Sequence, residues 1–170
     1  MIRFKDLHWR HYLKFGILAA VFYCATVAFY CRDANFTETW LLFAGNLIFL
    51  FVISASLFSF NKHRKNNAST VSMLSAGSIT TATAIIISCF FCVILLFIYV
   101  PGLLHATPGK TLRNEPVNTV QGKLNGMAFI IFMDAIFGNF VSGFAASIIF
   151  SFTLKGNQTG EKVPPAQSEL

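Results

Sequence analysis

"MAFIIFMDAIFGNFVSGFAASIIFSFTL", residues 127–154, is apolar along most of its length and carries a single charged side chain, the carboxylate of Asp134. A hydrocarbon core about 30 Å thick needs about 20 helical residues to cross it, so this stretch is more than long enough. Inside lipid every backbone N–H and C=O must be paired within the segment, which makes such a crossing a helix. The fold then depends on whether the rest of the chain repeats the pattern.

It repeats it in three further places. Tyr12 to Cys31, Trp40 to Phe60 and Ser78 to Val100 are apolar blocks of spanning length, the last stopped by Pro101-Gly102. The 170-residue chain is 55% hydrophobic and only 12% charged, with 20 phenylalanines, a composition that excludes an ordinary soluble domain. The expected fold is all-α: one domain over 1–154, a four-transmembrane-helix antiparallel bundle with helices at about 12–31, 40–60, 78–100 and 127–154. An outer loop is expected over 101–126 and a disordered tail over 155–170.

The net charge of +6 is distributed as a topology signal and not as a nucleic-acid patch. Arg3, Lys5 and Arg10 precede the first block and Lys14 stands at its start, Lys62, Arg64 and Lys65 follow the second, and Lys155 and Lys162 follow the fourth. Arg32, Lys110, Arg113 and Lys123 fall on the other side, so the positive-inside rule places both termini in the cytoplasm. The expected partners are the bilayer and either a second copy or another membrane protein, with no nucleic acid.

The opening "MIRFKDLHWRHYLK" puts Phe4, Leu7, His11 and Phe15 on one helical face and Arg3, Arg10 and Lys14 on another. It reads either as an amphipathic interfacial helix or as a basic flank that only sets orientation. Cleavage as a signal peptide is not expected, because the apolar block is long and lacks a small-x-small site before Arg32. "RDANFTE" is so short that the first two helices must be antiparallel neighbours, and "NKHRKNNAST" is a solvated connector whose Ser and Thr can cap a helix. The glycosylation patterns at Asn35 and Asn157 are read as chance matches.

Catalytic motifs of soluble enzymes are missing, so no enzyme and no cofactor are expected. His8 and His11 have the i, i+3 spacing of helix metal ligands, but two histidines on an interfacial segment do not make a metal site. "CFFC", Cys89 to Cys92, lies far from a membrane surface, where quinone and substrate thiols would meet; with Cys24 and Cys31 it reads as small buried apolar residues.

The last block holds most of the functional information. At 100° per residue Asp134, Gly138, Ser142 and Ala145 share one flank, and Ala135, Asn139, Gly143 and Ala146 continue it. Phe129, Met133, Phe137, Phe140 and Phe144 take the opposite half. Small residues let helices approach closely, so Gly138, Ser142, Gly143, Ala146 and Ser147 form the expected packing face, with the phenylalanines toward lipid.

Asp134 has two placements. Either it lies roughly 10 Å below the outer surface, where a lone charge costs about 3 kcal/mol on insertion scales, or the span begins at Asp134 and the carboxylate is interfacial. The buried placement is preferred, because an ionisable residue inside a span is by default functional. Counting inward from Trp40 puts Asn46 about 9 Å deep, with Cys24 and Cys92 near the same level. Asp134, Asn46 and Asn139 are therefore the candidate polar cluster, either glue between helices or a proton or solute site. The hydroxyls of "SITTAT", from Ser78, are expected to bond their own helix carbonyls.

Four short-looped helices, a basic central linker, a long loop before the last helix and the closing "DAIFGNFVSGFAASIIFSFTLK" resemble a family of small bacterial inner-membrane proteins known only as a domain of unknown function. The resemblance covers 12–155 and implies a four-helix membrane domain without an established activity. The functional expectation is a non-enzymatic packing or interaction component of the cytoplasmic membrane. The alternative is a small transporter or channel subunit using Asp134, built as an oligomer on the Gly138 to Ser147 face; a thiol redox protein using Cys89 and Cys92 is third.

Overall fold

A computed structural model describes residues 9–32, 38–64, 68–99 and 120–160, with side chains over 126–154 in the last segment. Among these residues the protein is helical throughout, with no strand: α1 (Trp9–Arg32), α2 (Trp40–His63), α3 (Thr70–Tyr99), α4 (Val120–Met133), a π-helical turn (Asp134–Gly138) and α5 (Asn139–Gly160). Four stretches are long and apolar enough to cross a membrane: Trp9–Arg32, Trp40–His63, Thr70–Tyr99 and Gly126–Leu154.

Three boundaries differ from the sequence expectation. The third helix starts at Thr70 and not near Ser78, because Ser69 caps it: the Ser72 N–H donates to Ser69 Oγ at 3.2 Å. Thr70 to Gly77 is too rich in Ser to stand out as lipid-facing, yet the capped backbone simply continues. The last helix begins at Val120, taking the final seven residues of the expected outer loop, and continues to Gly160, into the expected tail. The remainder of that loop, the end of the tail, His8, Asn35 and the first eight residues lie outside the described residues.

The helices do not follow one another around the bundle. α1 packs against both α2 and α3, and α5 packs against both α2 and α3, so α1 and the last span face each other across the centre. Contact registers give the directions. Gly45 of α2 lies against Tyr23 and Thr26 of α1, while His11 bonds the Ser56 carbonyl at 3.2 Å, so α1 and α2 run antiparallel. Gly16 lies against Thr83 and Ala84, and the Cys24 thiol donates to the Ser88 carbonyl at 3.8 Å, so α1 and α3 run parallel.

The interior holds a main apolar cluster that includes Tyr23, Val27, Phe49, Ile53, Leu96 and Ile131, and a smaller one around Tyr12, Leu57, Phe60 and Met73. The outside is as apolar as the inside: Phe43 is 72% exposed, Ile86 71% and Phe152 66%. Apolar side chains exposed on every helix form a surface far larger than a soluble monomer tolerates, and a bilayer is the solvent in which it is stable.

Candidate functional site

Asp134, half-buried at the start of the π-helical turn, joins three helices. The Tyr23 hydroxyl donates to its Oδ2 at 2.8 Å, and the Asn46 side-chain amide donates to its Oδ1 at 2.7 Å. Three helices that are distant in sequence thus meet at one carboxylate. A carboxylate oxygen accepts and never donates when ionised, so two donors, one on each oxygen, form a complementary set. Tyr23 is fully buried and reaches across the bundle from α1, and Asn46 is 8% exposed on α2.

Gly138 makes room for this clasp. A Cβ there would stand 2.6 Å from both Asn46 Nδ2 and Asp134 Oδ1, so any larger residue collides with the hydrogen-bonded pair. The π-helical turn runs from Asp134 to Gly138 and adds a residue to one turn. The Asn139 N–H reaches back five residues to the Asp134 carbonyl. Its side-chain amide then donates to the Ala135 carbonyl at 3.1 Å, the acceptor its own N–H would have taken in a regular helix. Asn139 therefore closes the distorted turn; it does not bond the carboxylate with which the sequence reading grouped it.

The expected packing face splits between two jobs. Gly138 serves the clasp, whereas Gly143, Ala146 and Ser147 are buried further along α5, and Ser142 is half-buried. A Cβ on Gly143 would run into the Thr81 side chain, and one on Gly77 would run into Ser147. α3 and α5 thus exchange a glycine for a hydroxyl twice, Gly77 to Ser147 and Gly143 to Thr81, and the four-residue spacing repeats on both helices. Gly143, Ala146 and Ser147 are consequently covered inside the chain, whereas Gly138 and Ser142 stay half-buried.

Several hydroxyls of α3 and α5 are satisfied within their own helix. Thr80 donates to the Ala76 carbonyl at 2.8 Å, Thr83 to Ile79 at 2.8 Å and Ser147 to Gly143 at 2.7 Å. Asn46 Oδ1, Asn139 Oδ1, Ser88 Oγ and Thr81 Oγ1 are buried without a hydrogen-bond partner among the described residues. Phe129, Phe137, Phe140 and Phe144 are all exposed on the outer face, as are Met133 and Val141.

The cysteines are free thiols, with Cys24, Cys31 and Cys92 buried and Cys89 half-buried. No cluster of His, Cys, Asp and Glu able to hold a metal occurs among the described residues. Tyr23 is the site residue the sequence reading missed. The same depth count that selected Asn46 would have found it, because Tyr23 lies about 13 Å in from Arg32 and carries a hydroxyl at the level of Asp134. Comparison with family models, curated proteins and solved structures gave no match.

Proposed function

We propose that this chain is a non-enzymatic integral protein of a bacterial cytoplasmic membrane, with both termini inside, that acts through helix packing and contacts with lipid and membrane partners. Membrane residence rests on the four spans and their apolar outer faces. The orientation rests on the basic residues at the ends where α1 begins and α2 ends. The bacterial setting rests on the resemblance carried by the closing segment.

One observation supports a packing role above the others: both oxygens of Asp134 are engaged by donors from two other helices. A half-buried carboxylate held this way fixes the register of three helices, the best-attested use of a polar group between helices. A second reading, a proton site within a transport subunit, is favoured by the unpartnered Asn46, Asn139 and Ser88 oxygens. A water needs polar partners of this kind to sit in a protein interior, and a hydrated carboxylate can exchange protons.

Reconstitution of the purified protein into vesicles with a trapped pH dye separates the two. The packing role predicts no proton flux beyond that of empty vesicles under an imposed potential, and a less stable Asp134→Asn bundle. Flux that appears with the native chain and is lost in Asp134→Asn would establish the proton site instead.

A further inference from the structure

The clasp is not the only built feature. At the end of the bundle where α1 begins and α2 ends, a half-open cavity of about 610 Å³ lies between the two helices. Three cations line it: Arg10 and Lys14 from the first turns of α1, and Arg64 just past the end of α2. Aromatic rings of Trp9, Phe15 and Phe60 line it too, and among the described residues that line it there is no carboxylate.

The local structure holds these groups in place. The Arg64 guanidinium sits 5.5 Å over the Phe60 ring, a cation–π contact that keeps a long side chain from wandering into water. The His11 and Phe15 rings meet at a tilt of 48° with centroids 4.8 Å apart, and His11 is anchored to Ser56 of α2. The end of α2 would normally repel an anion through its free carbonyls. Here His63 bonds the Ser59 carbonyl at 2.9 Å and the Arg64 N–H bonds those of Phe60 and Asn61, so those carbonyls are already occupied.

Three cations converging on a cavity with aromatic walls are matched by a compact anion with several acceptor oxygens attached to something apolar or amphipathic. Arginine and lysine recognise phosphate in this way, the former by paired N–H donors and the latter as a point charge. We infer that this cavity is a binding site for a phosphate ester, either the headgroup of an anionic phospholipid in the adjoining leaflet or a soluble organic phosphate. The site is separate from the Asp134 clasp and does not depend on the function proposed for it.

The test uses the full chain in a neutral detergent. Native mass spectrometry counts bound lipid after addition of phosphatidylglycerol or phosphatidylcholine. In parallel, glycerol 3-phosphate is titrated against Trp9 fluorescence in a Trp40→Phe background; the chain has 2 tryptophans, so Trp9 then reports alone. Arg10→Gln, Lys14→Gln and Arg64→Gln should each weaken binding about fivefold, the effect of one cation at an anionic surface. Arg32→Gln, at the opposite end of α1, should leave it unchanged. Preference for phosphatidylglycerol with this residue dependence identifies a lipid site; a saturable glycerol 3-phosphate response with the same dependence identifies a soluble ligand. Equal binding of both lipids with no fluorescence response overturns the inference, and so does a loss in Arg32→Gln as large as in Arg64→Gln. Circular dichroism of each variant confirms that its helices are intact.

Discussion

The Asp134 clasp and the α3–α5 seam both place polar side chains against glycines between the apolar helices, and they do so by opposite means. At the clasp the polar groups are bonded across helices: Tyr23 and Asn46 donate to one carboxylate, and Gly138 gives it space. At the seam the Ser147 hydroxyl is bonded to its own helix, the Thr81 hydroxyl is unpaired among the described residues, and what passes between α3 and α5 is shape, Ser147 against Gly77 and Thr81 against Gly143. The clasp therefore depends on chemical identity and the seam on volume. Lipid offers no hydrophobic drive between helices, so contacts of both kinds have to supply it.

Substitutions can break this distinction or sharpen it. Asp134→Ala should have the largest effect, about 3 kcal/mol, because it strands the Tyr23 hydroxyl and the Asn46 amide without an acceptor. Reversible unfolding in mixed micelles measures it. A smaller loss than that of the seam glycine would invert the ranking and assign the bundle's stability to packing alone.

Gly143→Ala comes next, at about 2 kcal/mol, since a Cβ there meets the Thr81 side chain and forces α3 away from α5. Pairing it with Thr81→Ala should recover more than half of the loss if volume is the cause. Were the pair no more stable than Gly143→Ala alone, the seam would depend on something other than shape.

Tyr23→Phe should cost about 1 kcal/mol by the same unfolding measurement, the scale of one side-chain hydrogen bond between membrane helices. In an Asp134→Ala background it should cost almost nothing, because the acceptor is already gone. Full additivity of the two would mean that the Tyr23 hydroxyl acts through a partner other than Asp134. Ser147→Ala should be nearly silent, within about 0.5 kcal/mol, since its hydroxyl serves only its own helix. A loss as large as that of Tyr23→Phe would show that the seam hydroxyls also act between helices.

Much of the clasp was readable beforehand. Asp134 stood out as a charge within an apolar run, and simple depth counting led to Asn46, because rise per residue is fixed and both segments were recognisable as spans. Asn139 was drawn into the cluster by helical periodicity, which the π-helical turn alters; one additional residue in the turn rotates everything after it relative to what precedes it. Nothing in "DAIFGNF" marks that turn in advance.

By itself the sequence determined that the chain holds four helical stretches long and apolar enough to cross a membrane, where its small residues and its carboxylate fall, and which ends are basic. Those properties follow from composition and from a backbone that lipid forces to satisfy itself, and both are local. Only the tertiary structure decided that α1 lies beside α3, that Tyr23 crosses the bundle to Asp134, that the glycine face of α5 is covered by α3, and that Arg10, Lys14 and Arg64 converge on one cavity. Neighbour choice among helices of similar length and hydropathy depends on the fit of side chains far apart in sequence, and no local pattern encodes it.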